Sequence, residues 1–315
     1  MARNRIQFQK GLSDARFTTL YGNEDDCRAA VAAWRWPGGF VCPACGGSEH
    51  CIVGPRQLYQ CNACRRQTSL TAGAIFAATK VPLTTWFRAM YLITQTKQGI
   101  SSIELGRRLG TTQTTAWKIK TKLAEVMRRT GESSKLEGRI EMDDAYLGGA
   151  RSGGKTGRGS PGKRPIIVAV ETDDKGRPRR IKLRRIPRFK RARVRSLTKR
   201  IIVPGSTVIT DGYQCFHGIT DAACVHVRIT TGCGARAARN PAFRWVNTML
   251  GNIKASIAGT YRAVRKKHIV RYLAEFEWRF NNRVDRAAMI PALGRAAVAA
   301  KPAPYTWLKL ADYGA

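Results

Sequence analysis

Cys42, Cys45, Cys61 and Cys64 form two C-x-x-C pairs with fifteen residues between them. At this spacing two short turns can set four thiolates around one tetrahedral Zn2+, each sulfur about 2.3 Å from the metal. The first turn, CPACG, carries the Pro and Gly that such a bend needs, and the second, CNACRRQT, runs on into basic and polar residues. His50 and Cys51 offer other donor atoms but fall midway between the pairs, so a surface histidine beside a buried cysteine is the expectation there. Carboxylates are the second chemical signal. Phosphoryl transfer on two Mg2+ or Mn2+ ions, about 3.5–4 Å apart, needs oxygen ligands fixed on rigid elements. Asp143 lies in the strand-like segment GRIEMDDAYLGG, and Asp211 closes another, VITDGY, directly before Gly212, which leaves room for a close ligand. Neighbouring strands at the centre of a sheet would bring the two together. Asp144 follows Asp143, and successive strand residues point to opposite faces, so one of this pair is expected to face away from the metals.

The elements that must hold these groups fall into three regions. Residues 1–75 contain a helix after Asn23 (NEDDCRAAVAAW), a Pro-Gly-Gly turn at Pro37 and the cysteine knuckles, with too little apolar material to fold without the metal. Residues 76–135 read as helical. TTWFRAMYLITQTKQ repeats apolar residues at helical spacing and is expected to stop at Gly99. A compact pair follows: Ser101 or Ser102 caps SIELGRRL, Gly110 turns the chain, and Thr111 or Thr112 opens a second helix with Ala116, Ile119 and Leu123 as its buried stripe. Such a unit resembles a helix-turn-helix, with Gln113, Thr114, Lys118 and Lys122 facing a DNA groove.

Residues 136–315 change to strands. Three of them (GRIEMDDAYLGG, RPIIVAVETDD, RPRRIKLRRI) are joined by a Gly- and Lys-rich loop and a turn at 173–176. A short helix, the strands STVITDGY and VHVRITTG, and two helices (FRWVNTMLGNIKASIAGTY, KKHIVRYLAEFEWRFNNR) complete the order. Three strands, helix, two strands, helices is the order of a ribonuclease-H-like α/β domain, a mixed sheet with flanking helices. The fold class expected is that domain preceded by a small zinc ribbon and a helix-turn-helix-like module.

Charge indicates the partner. Lys and Arg number 56 against 21 Asp and Glu, a formal +35, which is an electrostatic footprint for a polyanion. No run of eighteen apolar residues is present and the N-terminus MARNRIQFQKG is polar, so a membrane is not the expected surface and a reducing cytoplasm is the expected location. In that setting Cys27, Cys51, Cys215, Cys224 and Cys233 are expected as buried small hydrophobes rather than disulfides. Residues 175–200 hold fourteen Lys and Arg and no acid, which suggests a DNA track, ordered or awaiting DNA, over a merely solvated face.

Together the segments NEDDCRAAVAAWRWPGGFVCPACG, YQCNACRRQTSLTAGAIF, LITQTKQGIS, MDDAYLGG, VITDGY, RWVNTMLGNIKASIAGTY and RYLAEFEWRFNNR resemble the zinc-ribbon insertion-sequence transposases of the ISXO2-like group, in consistent order from about residue 20 onward. The resemblance implies a DDE-type nuclease in which Asn replaces the third carboxylate and Lys follows two residues later. Here the set is Asp143, Asp211, Asn252 and Lys254, with Asp143, Asp211 and Asn252 as Mg2+ or Mn2+ ligands. Val246, Leu250, Ile253 and Ile257 form the apolar side of the helix, with Asn252 flanking it and Lys254 on another side, better suited to a DNA phosphate. Glu275 and Glu277 are rival third ligands, but the solvated face of an amphipathic helix is the expectation for them. The activity implied is DNA strand cleavage and strand transfer at the ends of a mobile element, by a homo-oligomer assembled on DNA. The competing class is a DNA-binding regulator or inactive relic.

Overall fold

The computed structural model describes residues 11–148, 163–230, 240–261 and 266–310. The Gly- and Lys-rich loop at 149–162 and Cys233 lie outside the described residues. The chain divides into two compact units, one of residues up to Arg129 together with Asn282–Leu310, the other centred on Thr130–Asn281.

In the first unit, Ser13 caps α1 (Asp14–Tyr21) and Asn23 caps α2 (Glu24–Arg35), each side chain accepting an N–H from the opening turn. Helix α1 had no counterpart in the sequence reading. A three-stranded antiparallel sheet follows, β1 (His50–Val53), β2 (Leu58–Cys61) and β3 (Gln67–Thr68). Then come α3 (Leu83–Gln95), α4 (Ser102–Leu109) and α5 (Gln113–Glu132). Helix α3 ends at Gln95, short of the expected stop at Gly99. Glu24 accepts the N–H groups of Leu83 and Thr84, capping α3, which starts at a proline with no side-chain cap of its own.

Residues 282–310, expected to continue the catalytic domain, belong to the first unit instead. There α9 (Met289–Ala299) packs on α2 so closely that a Cβ on Gly294 would stand 2.0–2.5 Å from the Trp34 ring. Trp34 in turn stacks on Phe87, at 5.2 Å between centroids. A last helix, α10 (Tyr305–Leu310), sets Tyr305 edge-on to Trp117.

The second unit is built on a five-stranded sheet of β4 (Arg139–Leu147), β5 (Arg164–Thr172), β6 (Pro178–Arg185), β7 (Thr207–Thr210) and β8 (Val225–Arg228), in the order β6-β5-β4-β7-β8. The first three strands are antiparallel and β7 and β8 run parallel to β4, with α6 (Arg191–Ile201) as the crossover. This is the ribonuclease-H-like arrangement expected from the element order, with β4 and β7 adjacent at its centre. Alternation along β4 sends Ile140 and Met142 into a core shared with α6 and a 3-10 segment at Gln214–Ala222, where the sequence suggests a loop. Ala145 and Leu147 enter the opposite core, shared with α7 (Arg244–Thr260) and α8 (Ile269–Asn281).

Strand β6 lies at an edge, where unpaired backbone groups invite association. Side chains of α8 occupy them: Glu277 accepts the Leu183 N–H at 2.8 Å, and Asn281 both accepts from Ile181 N–H and donates to its carbonyl, at 2.8 and 3.1 Å. The expectation of a solvated acidic face on α8 is thereby corrected. Glu275 and Glu277 are both buried, and Glu277 is paired with Arg184 at 2.5 Å and Lys182 at 3.4 Å. A carboxylate is stable there because two cations and a backbone donor replace its water.

Candidate metal centres and nucleic-acid interface

The two knuckles of the ribbon are built alike. Gly46 N–H returns to the Cys42 carbonyl and Arg65 N–H to the Cys61 carbonyl, both at 2.9 Å, with Gly46 at φ +76° and Arg65 at φ +58°. The left-handed residue after each second cysteine turns the chain back so that both sulfurs of a pair face inward. Gly47 sits where a Cβ would approach the Cys61 and Cys45 sulfurs at 3.3 and 3.4 Å. The four Sγ atoms lie within 4.8 Å of one another, with Cys42 to Cys64 at 3.5 Å and Cys45 to Cys61 at 3.6 Å. A tetrahedron with 2.3 Å bonds has edges of about 3.8 Å, so the four sulfurs fit Zn2+. Backbone N–H groups of Ala44 and Cys45 lower the Cys42 thiol, while the crowding of Cys64, Cys61 and Cys42 raises that of Cys45, the opposite shifts of four sulfurs sharing protons in one cluster.

His50 is exposed and stacks on Phe40 and Tyr59 at 4.7 and 5.1 Å, apart from the sulfurs, as expected of a surface histidine. Cys51 is exposed, not buried, because β1 is the outer strand of a sheet too small to cover it.

In the second unit, the β4–β7 ladder pairs Glu141 with Ile209, so the parallel register carries Asp143 alongside Asp211. Asp211 follows the last residue of β7, and Gly212 turns the chain at φ +83°, a conformation that a side chain would strain. Asp211 Oδ1 accepts the Tyr213 N–H at 3.0 Å and Asp143 Oδ1 accepts the Asp144 N–H at 2.8 Å. These bonds orient both carboxylates.

Asp144 departs from expectation. It alternates to the other side of the pleat, yet Asp143, Asp144 and Asp211 each offer an oxygen within 4.8 Å of the others. Pleat alternation governs Cβ directions, but Asp143 bends back toward its neighbour's N–H, and the recorded β4–β7 pairing stops at Glu141. All three are half-buried. In an octahedral Mg2+ or Mn2+ shell, opposite ligands stand about 4.2 Å apart, twice a bond of about 2.1 Å, so a small inward movement of oxygens that lie within 4.8 Å of one another would let this trio hold such an ion.

Glu141, which the sequence reading passed over, sets the helix beside this site. It is 1% exposed, and its Oε2 accepts the N–H groups of Trp245 and Val246 at 2.8 and 3.0 Å, closing the N-terminus of α7 onto β4. The signal was a further acid on the Asp143 face of the strand, two residues before it. Asn252 and Lys254 are exposed on α7, on either side of the buried stripe of Val246, Leu250 and Ile253.

Residues 135–281 match the family profile of the ISXO2-like transposase domain, and residues 22–67 that of the transposase zinc-ribbon domain; together they span more than half of the chain. The chain carries an ISXO2-like transposase domain behind a transposase zinc ribbon. Among curated proteins none matches significantly. Among solved structures, the crystal structure of the Mos1 mariner paired end complex with Mn aligns at 12% identity over 64% of this chain and 74% of that one. Its TM-score of 0.24 is too low to bear on the fold.

The helix pair is formed as the sequence suggests. Ser101 caps α4, Gly110 turns at φ +62°, and Thr112 accepts the Thr115 N–H at the start of α5. Ala116, Ile119 and Leu123 are buried. Gln113, Thr114 and Lys118 are exposed. Lys122 is not: it is half-buried, donates to the Ile75 carbonyl at 3.0 Å, and burial lowers its pKa. It lies on the inward side because the α5 interface is wider than its apolar stripe, Lys120 also being buried and donating to the Ile100 carbonyl.

The basic run 175–200 is also more divided than its composition suggests. Arg177, Arg179, Arg180, Lys182, Arg184 and Arg191 pair with Asp173, Glu171, Glu277 and Asp221, all outside the run. Arg188, Lys190, Arg195, Lys199 and Arg200 are exposed and enter no ion pair among the described residues. No helix of the described residues is long and apolar enough to cross a membrane.

Proposed function

We propose that the chain is an active DNA transposase that binds the ends of an insertion sequence and carries out strand cleavage and strand transfer. The convergence of Asp143 and Asp144, midway along β4, with Asp211, at the end of the parallel neighbour β7, carries this reading. A Mg2+ or Mn2+ ion held by these carboxylates would polarise the scissile phosphate and ease deprotonation of the nucleophile. The chain supplies the rigid ligand set, its oxygens oriented by backbone N–H groups before substrate arrives. Asn252 adds an amide oxygen from α7, and Lys254 an ammonium for a DNA phosphate or the leaving oxygen. Water is the first nucleophile: its oxygen bonds to phosphorus as the bond to the 3′ oxygen breaks, leaving a 5′ phosphate and a 3′ hydroxyl. That hydroxyl then attacks a target phosphodiester, displacing a new 3′ hydroxyl. Zn2+ on the four cysteines holds the ribbon together, and Gln113, Thr114 and Lys118 join the exposed basic residues of α6 in gripping DNA. The working form is a homo-oligomer on DNA in the cytoplasm.

The test is Mg2+-dependent cleavage of DNA carrying the element's ends. Asp143→Ala and Asp211→Ala should each abolish cleavage while DNA affinity stays within a few-fold, because ligands to the reacting centre contribute little to the grip. Cleavage that survives both changes would sink the assignment. A wild type that binds the ends and never cuts them would mark a regulator.

A further inference from the structure

Three aromatic residues stand beside the carboxylates on the α6 side of the sheet, and the chemistry proposed above does not use them. Tyr146 lies two residues beyond Asp144 on the same strand face, and Tyr213 two residues beyond Asp211, its N–H bonded to that carboxylate. Phe189 joins them, its ring edge-on to Tyr146 at 5.3 Å between centroids and to Tyr213 at 6.3 Å. All three remain partly exposed, although the core beneath them is closed by fully buried residues such as Ile140, Met142 and Phe216. Phe189 is also flanked in sequence by Arg188 and Lys190, both exposed and in no ion pair among the described residues.

Aromatic faces interleaved with free cations are what a single nucleic-acid strand requires, since each nucleotide offers a π-face and a phosphate. We infer that Tyr146, Phe189 and Tyr213 form a stacking platform that receives the nucleobase next to the scissile phosphate, with Arg188 and Lys190 holding the neighbouring phosphates. The inference rests on the transposase reading and adds to it the means of positioning. A base displaced from its stack and lodged here would fix its own phosphate at the carboxylates two residues away, and the Phe189 ring carries no hydrogen-bonding group that could read its identity. Phe189 is therefore a positioning residue that tolerates any base.

The experiment uses the full chain as an Asp211→Asn variant, so that bound DNA stays uncut, and element-end DNA carrying 5-iodouracil at single positions around the cleavage site. Irradiation should crosslink the nucleotide adjoining the scissile phosphate to peptides holding Tyr146, Phe189 or Tyr213, and an iodouracil several bases away should not react there. Phe189→Leu keeps an apolar side chain in the cluster but removes the π-face, whereas Phe189→Trp keeps it. Stacking of about 1–3 kcal/mol per base corresponds to about 5- to 140-fold. Phe189→Leu should therefore weaken binding of pre-nicked ends by that factor and lose the crosslink, while Phe189→Trp retains both. Leu behaving as wild type, or a wild-type crosslink lying elsewhere, overturns the platform. Cleavage by the unmutated enzyme is measured in parallel. Cleavage without the crosslink removes the platform alone, whereas absence of cleavage removes the transposase reading and the platform with it.

Discussion

Replacing Glu141 tests whether the helix carrying Asn252 and Lys254 is held to the central strand β4 by one buried carboxylate. Glu141 is 1% exposed, and its Oε2 takes two N–H groups of α7 at 2.8 and 3.0 Å, while Oε1 meets Arg139 at 3.2 Å. Hydrogen bonds to charged groups contribute about 1.5–3 kcal/mol each, and buried donors left unmatched cost about 1–3 kcal/mol each. Glu141→Ala strands both N–H groups, so a loss of about 3–5 kcal/mol is expected. Glu141→Gln keeps an oxygen for the two donors. It forfeits the attraction of a full charge for the helix N-terminus, about 0.3–2 kcal/mol, and turns an amide NH2 toward Arg139. About 1–2 kcal/mol is expected for it.

At about 2–4 °C per kcal/mol for a domain of this size, the melting transition should fall by about 6–20 °C for Ala and about 2–8 °C for Gln. Calorimetry gives the shift, and hydrogen exchange reports locally: the Trp245 and Val246 amides should lose protection in the Ala variant ahead of the sheet. Cleavage measured below both transitions should fall more than DNA affinity, because the helix beside the site is loosened while the basic surfaces remain. A shift under 2 °C for Ala, or unchanged protection at Trp245 and Val246, would refute the argument. Should the Ala chain fail to fold, the Gln variant still carries the test.

The other expectations are simpler to state. Metal analysis should find one Zn2+ per chain, lost in Cys61→Ser together with the ribbon's protection from proteolysis, since the small apolar cluster of Phe40, Cys42 and Cys61 cannot offset its ordering entropy alone; a wild type without zinc removes the module. DNA affinity should fall with salt at about 0.9 log units per neutralised phosphate, and Arg195, Lys199 and Arg200 replaced together by Ala should lower that slope by about 2.7. An unchanged slope would show that α6 does not face the DNA. Gly294→Ala should destabilise the first unit by about 1–3 kcal/mol, because the added methyl overlaps the Trp34 ring that α9 covers; a neutral effect in thermal melts would mean the ring swings aside freely.

Local chemistry was the legible part of this chain. Two C-x-x-C pairs and Ser101 and Gly110 around α4 each act within a few residues, and each formed as read, whereas the alternation of β4 did not keep Asp144 away from Asp143 and Asp211. Element order along Arg139–Asn281 carried the sheet topology because a parallel strand requires a crossover, and α6 is the helix that supplies it. What escaped depends on partners far away in sequence. Glu277 reaches Leu183 across 94 residues and Glu141 reaches Trp245 across 104, and nothing near either acid announces its partner. The helices after Asn281 show apolar spacing, but spacing says that a face is buried and not against what. Their return to α2 and α3 was therefore invisible.

The basic run of 175–200 shows how the two kinds of information combine. Its composition pointed to DNA, and the structure divides the run by element. On the strand side, Arg180, Lys182 and Arg184 neutralise Glu171 and Glu277, acids with side chains 1–3% exposed that would otherwise be unpaired charges in the core. On the helix side, Arg195, Lys199 and Arg200 are exposed beyond the buried stripe of Val194, Leu197 and Ile201. The strand cations stabilise the fold and are taken up by it. Removing them should cost stability and leave the salt dependence of binding almost unchanged, whereas removing the helix cations should do the reverse. Net charge counts both populations alike, so the +35 of the sequence overstates what a DNA partner meets.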